Sequence, residues 1–231
     1  MKKLVVFTGA GISAESGIKT FRGSDGLWEN HRIEDVACPE AWRKNPELVI
    51  RFYNERRNNI LKAIPNAAHT AVAELEAHFD VTVITQNIDD LHERAGSTKV
   101  LHLHGEIIKM RSEHNEQLVY DIRKDMVYGD KAEDGSYLRP HIVWFGESVP
   151  AMSKAIDIAQ SADVFAVVGT SLLVYPAASL VEYVRATTPV YLIDNNAPKI
   201  RMKNVHIIEK VASEGMLDLK NILLSNYIRT N

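Results

Sequence analysis

The chain has 231 residues, with 27 Lys and Arg against 30 Asp and Glu, and a formal net charge of −3 at pH 7. This balance excludes a global attraction to nucleic acid, so we expect no specific nucleic-acid partner. No apolar run has membrane-spanning length, and the first residues predict a core strand rather than a signal peptide. Because Cys38 is the single cysteine, an internal disulfide framework is excluded, and we expect a cytoplasmic protein without a membrane partner.

Strand-like and helical segments alternate along the chain. The patterns predict strands over 4–8, 81–85, 100–103, 141–145, 163–168, 189–193 and 205–208, and helices over 45–63, 66–79, 151–160, 176–186 and 213–224. This alternation with short polar joints is typical of an α/β protein with a Rossmann-like, doubly wound parallel sheet.

Two segments, about 19–64 and 107–139, interrupt the alternation because they are polar and charged. We assign them to a smaller lobe inserted into the sheet. The sequence thus predicts one domain over 1–231, with a sheet part at about 1–28, 65–104 and 140–231 and a small lobe at about 29–64 and 105–139. The ligand cleft is expected between the two parts.

The first predicted strand runs into Gly9-Ala10-Gly11-Ile12-Ser13, and the strand at 163–168 runs into Gly169-Thr170-Ser171. Glycines at such a turn allow the backbone to approach a pyrophosphate closely. Gly9 and Gly11 taken alone could form an ordinary tight turn. The two turns together indicate a dinucleotide site.

Polar residues follow two further strands, with Gln86-Asn87-Ile88-Asp89 after the strand at 81–85 and His104 after the strand at 100–103. In open α/β sheets, ligands bind beyond the carboxyl ends of the strands. His104 could accept a proton at neutral pH, although histidines at strand ends are more often structural. Asp89 could instead cap the helix that begins near Asp90.

Several motifs occur in the order found in sirtuins, which are NAD-dependent protein deacylases. They are Gly9-Ala10-Gly11-Ile12-Ser13, Phe21-Arg22-Gly23, Thr85-Gln86-Asn87-Ile88-Asp89, Leu103-His104-Gly105, Phe145-Gly146-Glu147 and Gly169-Thr170-Ser171. The chain therefore resembles that family over nearly its whole length.

The resemblance implies that His104 is the general base, that Asn87 holds a ribose or a water, and that NAD is the cofactor. The cofactor-binding residues it implies are Gly9, Ala10, Gly11, Ser13, Phe21, Arg22, Gln86, Asn87, Ile88, Asp89, Gly169, Thr170, Ser171, Asp194 and Ala212. Asp194 stands where sirtuins usually carry Asn, and Asn196 stands where they carry an acidic residue. We still expect Asp194 to accept a hydrogen bond from the adenosine ribose.

The partner implied by the resemblance is the acylated lysine side chain of a protein. Its peptide would pair with the main chain of Val143, Trp144, Phe145, Gly146 and Glu147. Considered alone, Val143 and Phe145 fit a plain core strand equally well.

Arg56 lies centrally on the apolar face of the helix predicted over 45–63. A charge avoids such a place unless it has a partner, so Arg56 either awaits an acidic ligand, snorkels to solvent or pairs with a structural carboxylate. Tyr53 and Arg56 match the Tyr-x-x-Arg pair of the sirtuin branch that removes succinyl, malonyl and glutaryl groups. Ala37 matches the small residue that widens the acyl pocket in that branch.

Most sirtuins carry two Cys-x-x-Cys pairs for structural zinc, and this chain has neither. The first pair would fall at Ser112 and Asn115. Because zinc needs thiolate or imidazole ligands, we predict no metal site. A substitute apolar core is expected from Leu118, Val119, Tyr120, Ile122, Met126, Val127, Tyr128 and Tyr137.

The resemblance to sirtuins therefore implies a protein-lysine deacylase that prefers acidic acyl groups, retains some deacetylation, and releases nicotinamide and O-acyl-ADP-ribose. Mono-ADP-ribosyl transfer from the same site is a second hypothesis, and a non-hydrolytic NAD-sensing module is a third. A Rossmann dehydrogenase is disfavoured because Gly9, Gly11 and Gly17 do not have the Gly-x-Gly-x-x-Gly spacing.

Overall fold

The computed structural model describes residues 1–20, 27–28, 31–197 and 204–227. Its strands are β1 (Lys3–Thr8), β2 (Leu27–Trp28), β3 (His31–Arg32), β4 (Asp80–Thr85), β5 (Val100–His102), β6 (Gly105–Ser112), β7 (Val119–Asp121), β8 (Leu138–Ile142), β9 (Val164–Val168), β10 (Val190–Ile193) and β11 (Val205–Ile208). Its helices are α1 (Gly11–Ala14), α2 (Ile33–Val36), α3 (Pro39–Lys44), α4 (Pro46–Lys62), α5 (Ala67–Glu74), α6 (Leu91–Arg94), α7 (Met152–Ser161) and α8 (Ala212–Tyr227), with 3-10 turns at Leu75–Ala77 and Ala177–Tyr183.

The large sheet is parallel, and its strand order is β11-β10-β9-β1-β4-β5. This is the Rossmann order, in which successive strands are added first on one side of β1 and then on the other. Ligands bind at that switch, which here lies between the carboxyl ends of β1 and β9. The predicted fold class is confirmed.

Both faces of this sheet are covered. One apolar cluster joins the sheet to α5 and α8, and a second joins it to α7 and the 3-10 turn at Ala177–Tyr183. Central strands covered on both faces consist of continuous apolar residues, as Leu4, Val5, Val6 and Phe7 do in β1.

A third apolar cluster forms the core of the small lobe, where α2, α3 and α4 pack against a three-stranded antiparallel sheet in the order β7-β6-β8. Helix α4 begins where the sequence predicts, because the Asn45 side chain accepts the Leu48 N–H at 3.1 Å and Pro46 occupies the first turn. Among the helices of the described residues, none is both long and apolar enough to cross a membrane.

Two sequence predictions of secondary structure are wrong. The strand predicted over 141–145 ends at Ile142, and β8 belongs to the small antiparallel sheet rather than to the parallel one. The helix predicted over 176–186 is a 3-10 turn at Ala177–Tyr183. Ile142, Trp144, Leu180 and Val181 are buried as expected, whereas Phe145 and Tyr183 are exposed. The backbone hydrogen bonds of both segments differ from those a regular strand or α-helix would make.

The expected substitute core of the small lobe forms only in part. Ile122 and Met126 are buried, whereas Val127, Tyr128 and Tyr137 are exposed. At the position of the first missing cysteine pair, the fully buried Ser112 hydroxyl accepts the His114 and Asn115 N–H groups at 3.2 and 3.0 Å. It donates to Asp134 at 2.7 Å, so one hydroxyl ties the two ends of the 112–134 segment together.

Candidate active site

Three glycines bring the ends of β1 and β9 into backbone contact. The Gly9 N–H donates to the Val168 carbonyl at 3.0 Å, and the Gly11 N–H donates to the Gly169 carbonyl at 2.8 Å. A Cβ on Gly11 would lie 2.6 Å from the Gly169 Cα, and Gly169 itself has a φ of +62°. No side chain fits between these turns, so their main chains are left open toward the cleft at the strand ends.

His104 follows β5 and is held by the main chain of Gln86, the residue after β4. Its Nδ1 lies 3.0 Å from the Gln86 carbonyl oxygen, which can only accept, so Nδ1 carries the hydrogen in the neutral ring. Burial lowers the pKa of His104, although the hydrogen bond to Gln86 partly offsets that effect. At neutral pH the ring is therefore uncharged, and Nε2 can accept a proton.

Ser13 links Asn87 to Asp89 beneath the cleft. The Asn87 Nδ2–H donates to the fully buried Ser13 Oγ at 3.1 Å, and Ser13 Oγ donates to Asp89 Oδ2 at 3.1 Å. Within the described residues, no hydrogen bond involves Asn87 Oδ1, and Asn87 lines the cleft. The amide oxygen is thus the atom of Asn87 that a ligand can use.

His69 sets the orientation of this link, and sequence reasoning missed it. The Asn66 N–H donates to His69 Nδ1 at 3.3 Å, so the hydrogen of the neutral ring is on Nε2, which lies 3.4 Å from Ser13 Oγ. Burial lowers the pKa of His69 to about 4 and keeps the ring neutral. The signal in the sequence was Asn66 as a helix N-cap with His69 three residues later, in the spacing of a capping box.

Asp89 makes the capping hydrogen bond that the sequence suggested, and its role toward a cofactor stays a prediction. Its Oδ1 accepts the Leu91 N–H at the start of α6 at 3.2 Å, as a capping residue would, and its side chain also lines the cleft. Burial raises the pKa of Asp89, while the hydrogen bonds from Leu91 and Ser13 act in the opposite direction.

The far end of the cleft is formed by the ends of β9 and β10. Asp194 is buried, and its Oδ1 accepts the Asn196 N–H at 2.8 Å. Thr170 Oγ1 accepts a hydrogen bond from Gln86 Nε2 at 3.0 Å, which ties the end of β9 to the residue after β4 whose carbonyl holds His104. Ala212 lines the same end at the start of α8.

Tyr53 and Arg56 project from α4 into the opposite end of the cleft, beside Ala37. Tyr53 is fully buried, and Arg56 is 5% exposed, which excludes snorkelling to solvent. The Arg56 guanidinium lies 4.2 Å from the centre of the Trp28 ring, a cleft residue that the sequence did not single out. Burial raises the pKa of Tyr53 well above its ordinary value, although the charge of Arg56 opposes the shift, so the phenol stays protonated.

Residues 143–147 connect the two ends of the cleft without forming a strand. The Val143 N–H donates to the His104 carbonyl, and the Phe145 N–H donates to the Ala37 carbonyl, both at 3.0 Å. Trp144 is buried, while Phe145 is 43% exposed. The segment is thus fixed by its main chain to the strand end that carries His104 and to the pocket of Tyr53.

Every predicted site residue within the described part of the chain lines this one cleft, which encloses about 500 Å³. Phe21 and Arg22 lie outside the described residues. Among the described residues, no group of three or more His, Cys, Asp or Glu side chains could hold a metal ion.

A family model described as the Sir2 family matches residues 9–176. The chain belongs to the Sir2 family. An "NAD-dependent protein deacylase" from Helicobacter pylori is 53% identical over 220 residues, which cover 95% of this chain and 96% of that protein. The resemblance to sirtuins that the motifs indicate is therefore confirmed.

Solved Sir2 structures share the fold over nearly the full length. A Sir2 homologue in complex with NAD has a TM-score of 0.87 and 40% identity, covering 97% of this chain and 90% of that one. A Sir2 complex with a p53 peptide and NAD⁺ has a TM-score of 0.78 and 31% identity, covering 96% and 92%. The Sir2 fold thus extends over the sheet, the small lobe and the cleft between them.

Proposed function

We propose that this Sir2-family chain is an NAD-dependent protein-lysine deacylase that prefers acidic acyl groups and releases nicotinamide and O-acyl-ADP-ribose. The coarser statement, that it is an NAD-dependent protein deacylase, follows from the family and from relatives about half identical over almost the whole chain. The acyl preference rests on Tyr53 and Arg56.

The described cleft residues fit NAD. The contact between Gly11 and Gly169 leaves bare main chain where a pyrophosphate would lie, as the Rossmann order requires. Asp194 can accept a hydrogen bond from a ribose hydroxyl, and Asn87 offers its amide oxygen to a ribose or a water. When bound, NAD supplies a ribose carbon that loses nicotinamide and takes the acyl group's oxygen.

His104 supplies the base for this chemistry. Its Nδ1–H is committed to the Gln86 carbonyl, so Nε2 is the atom that accepts a proton from a ribose hydroxyl. Its carbonyl also accepts the Val143 N–H, which links the position of the base to the segment proposed to bind the peptide. Phe145 lies in that segment, lines the cleft and is 43% exposed, so its ring would cover the bound acyl-lysine.

One observation carries the acyl preference: a buried cation and a buried phenol face the same cleft as His104. Tyr53 accepts the Trp144 indole N–H at 3.1 Å, so its own hydroxyl hydrogen remains available to donate. A carboxylate at the end of a succinyl, malonyl or glutaryl chain would receive that hydrogen bond and pair with Arg56. An acetyl group offers neither contact.

The test is a panel of peptides that differ only in the acyl group on one lysine, incubated with NAD and analysed by mass spectrometry. We expect a higher kcat/KM for succinyl or malonyl peptides than for the acetyl peptide. A higher value for the acetyl peptide would overturn the acyl preference and leave the deacylase. An added ADP-ribose mass on the protein substrate, with no acyl loss, would favour the transferase hypothesis, and absence of turnover would favour the NAD-sensing one.

A further inference from the structure

A buried arginine on β8 underlies the acyl pocket without lining it. Arg139 is 5% exposed and forms a bidentate pair with Glu147, at 2.7 and 3.1 Å. Its Nη2 also donates to the Ile142 carbonyl at 2.9 Å. Two parallel N–H···O bonds fix the plane of a guanidinium, so Arg139 has one orientation available.

That orientation places Arg139 against Trp144. The guanidinium carbon lies 3.4 Å from the centre of the Trp144 ring, and Glu147 Oε2 accepts the Trp144 N–H at 2.8 Å. The pair therefore holds this tryptophan twice, through its ring and through its backbone. Cation–π contacts of this kind are stronger where they are shielded from water.

Trp144 connects the Arg139–Glu147 pair to the acyl pocket. Its indole Nε1–H donates to the Tyr53 hydroxyl at 3.1 Å, inside the core of the small lobe. Because the Tyr53 oxygen accepts that hydrogen, the hydroxyl's own hydrogen must point elsewhere, and Tyr53 lines the cleft.

We propose that Arg139 is a positioning residue for the acyl pocket: with Glu147 it fixes the Trp144 indole, which in turn directs the Tyr53 hydroxyl toward the carboxylate of the bound acyl group. This inference rests on the proposed acyl preference for its substrate, but the hydrogen bond between Trp144 and Tyr53 can be observed without any substrate.

Arg111 provides a matched control. It is paired with Arg139 in the register of β6 and β8 and is similarly buried, at 7% exposed. Its Nη2 lies 3.4 Å from Glu116 and 4.0 Å from Glu147. Among the contacts of the described residues, none joins Arg111 to Trp144. Arg111→Met therefore removes a buried charge of the same sheet without removing the stacked guanidinium.

The first measurement compares KM and kcat of Arg139→Met and Arg111→Met on succinyl and acetyl peptides. We expect Arg139→Met to raise KM for the succinyl peptide about tenfold more than for the acetyl peptide, the effect of one misdirected hydrogen bond. Arg111→Met should lower thermal stability and leave the ratio of the two substrates unchanged. Arg139→Lys, which keeps the charge but not the bidentate geometry, should fall between Arg139→Met and the unmodified protein.

The second measurement records the indole N–H resonances of the three tryptophans by NMR. Trp144→Phe identifies the Trp144 signal, and Tyr53→Phe shows its position when the hydroxyl is absent. We expect Arg139→Met, or Arg139→Lys if the former does not fold, to move this signal toward the Tyr53→Phe position. An unmoved signal would overturn the proposal. Equal losses on the succinyl and acetyl peptides would also overturn it. If the acyl preference itself is wrong, the unmodified protein will already show no higher kcat/KM on the succinyl peptide.

Discussion

At the scale of single residues, function in this cleft depends on which atom carries each hydrogen. The Gln86 carbonyl fixes the hydrogen of His104 on Nδ1, and the Asn66 N–H fixes that of His69 on Nε2. These are backbone groups, which cannot change their donor or acceptor character. The main chain thus fixes the tautomer of both neutral rings before any ligand binds.

His104→Ala should reduce deacylation by about two to four orders of magnitude, because Nε2 no longer accepts the proton. NAD affinity, measured by calorimetry, should change little. His78→Ala is the matched control, since His78 is exposed and lies outside the cleft. Near-native turnover by His104→Ala would show that His104 is not the general base.

The pH profile gives an independent check on the same residue. Burial lowers the pKa of His104, and the proposed base is the unprotonated ring. The acid limb of kcat/KM should therefore have its midpoint below about 6.5, the ordinary histidine value. Rates measured from about pH 5 to about pH 9 decide this, and a midpoint above about 7 would contradict a buried neutral base.

Arg56→Met should reduce kcat/KM on a succinyl peptide about 10- to 150-fold, the effect of losing a charge-assisted contact. Deacetylation should be largely retained, because an acetyl group has no carboxylate to pair. Tyr53→Phe should show a milder loss. Arg51→Met, on the exposed side of α4, is the control. Equal losses on both peptides would mean that Arg56 has a structural role only.

At the scale of elements, the sequence located the cleft better than it located the small lobe. The ends of β1, β4, β5 and β9 were predictable because buried apolar runs stop at glycine or polar clusters. Residues 143–147 resemble a strand locally, but the Val143 and Phe145 N–H groups bond to the carbonyls of His104 and Ala37, which are distant in sequence. Only the tertiary fold determines such partners, and the same holds for the contact between His69 and Ser13, which are 56 residues apart.

Ser112→Ala should destabilise the small lobe by about 1–3 kcal/mol, because the part-buried N–H groups of His114 and Asn115 lose the buried Ser112 hydroxyl as their acceptor. Urea unfolding would measure the change, with Ser153→Ala on the exposed side of α7 as the control.

A metal chelator should leave activity and melting temperature unaltered, since the chain has one cysteine and lacks the usual zinc ligands. About one zinc per chain, lost together with activity, would contradict this.

At the scale of the whole molecule, the buried histidines connect stability to pH. Burial lowers the pKa of His69 to about 4 and that of His92 well below its ordinary value. The unfolded chain would bind protons at these residues below about pH 6.5, whereas the folded protein would not. Their contribution to stability is thus complete above about pH 6.5 and is lost as the pH falls toward 4.

The free energy of unfolding should therefore fall by roughly 1.4 kcal/mol per pH unit for each such histidine in this range. Urea titrations at several pH values would measure the slope. His69→Gln should have a shallower slope than the unmodified protein, because glutamine does not titrate. An identical slope in the two proteins would show that other groups account for the acid sensitivity.

The main-chain bonds from residues 143–147 to His104 and Ala37 have a further consequence for substrate choice. If the peptide backbone pairs with this segment, the distance from that backbone to the base is set by the protein and not by the peptide's sequence. The enzyme would then discriminate by the reach of the modified side chain. Acyl-ornithine, one methylene shorter than acyl-lysine, would misplace the acyl oxygen by about 1 Å, a displacement that can cost about a hundredfold in rate. Neighbouring residues in the peptide could vary widely while this limit on length stays strict.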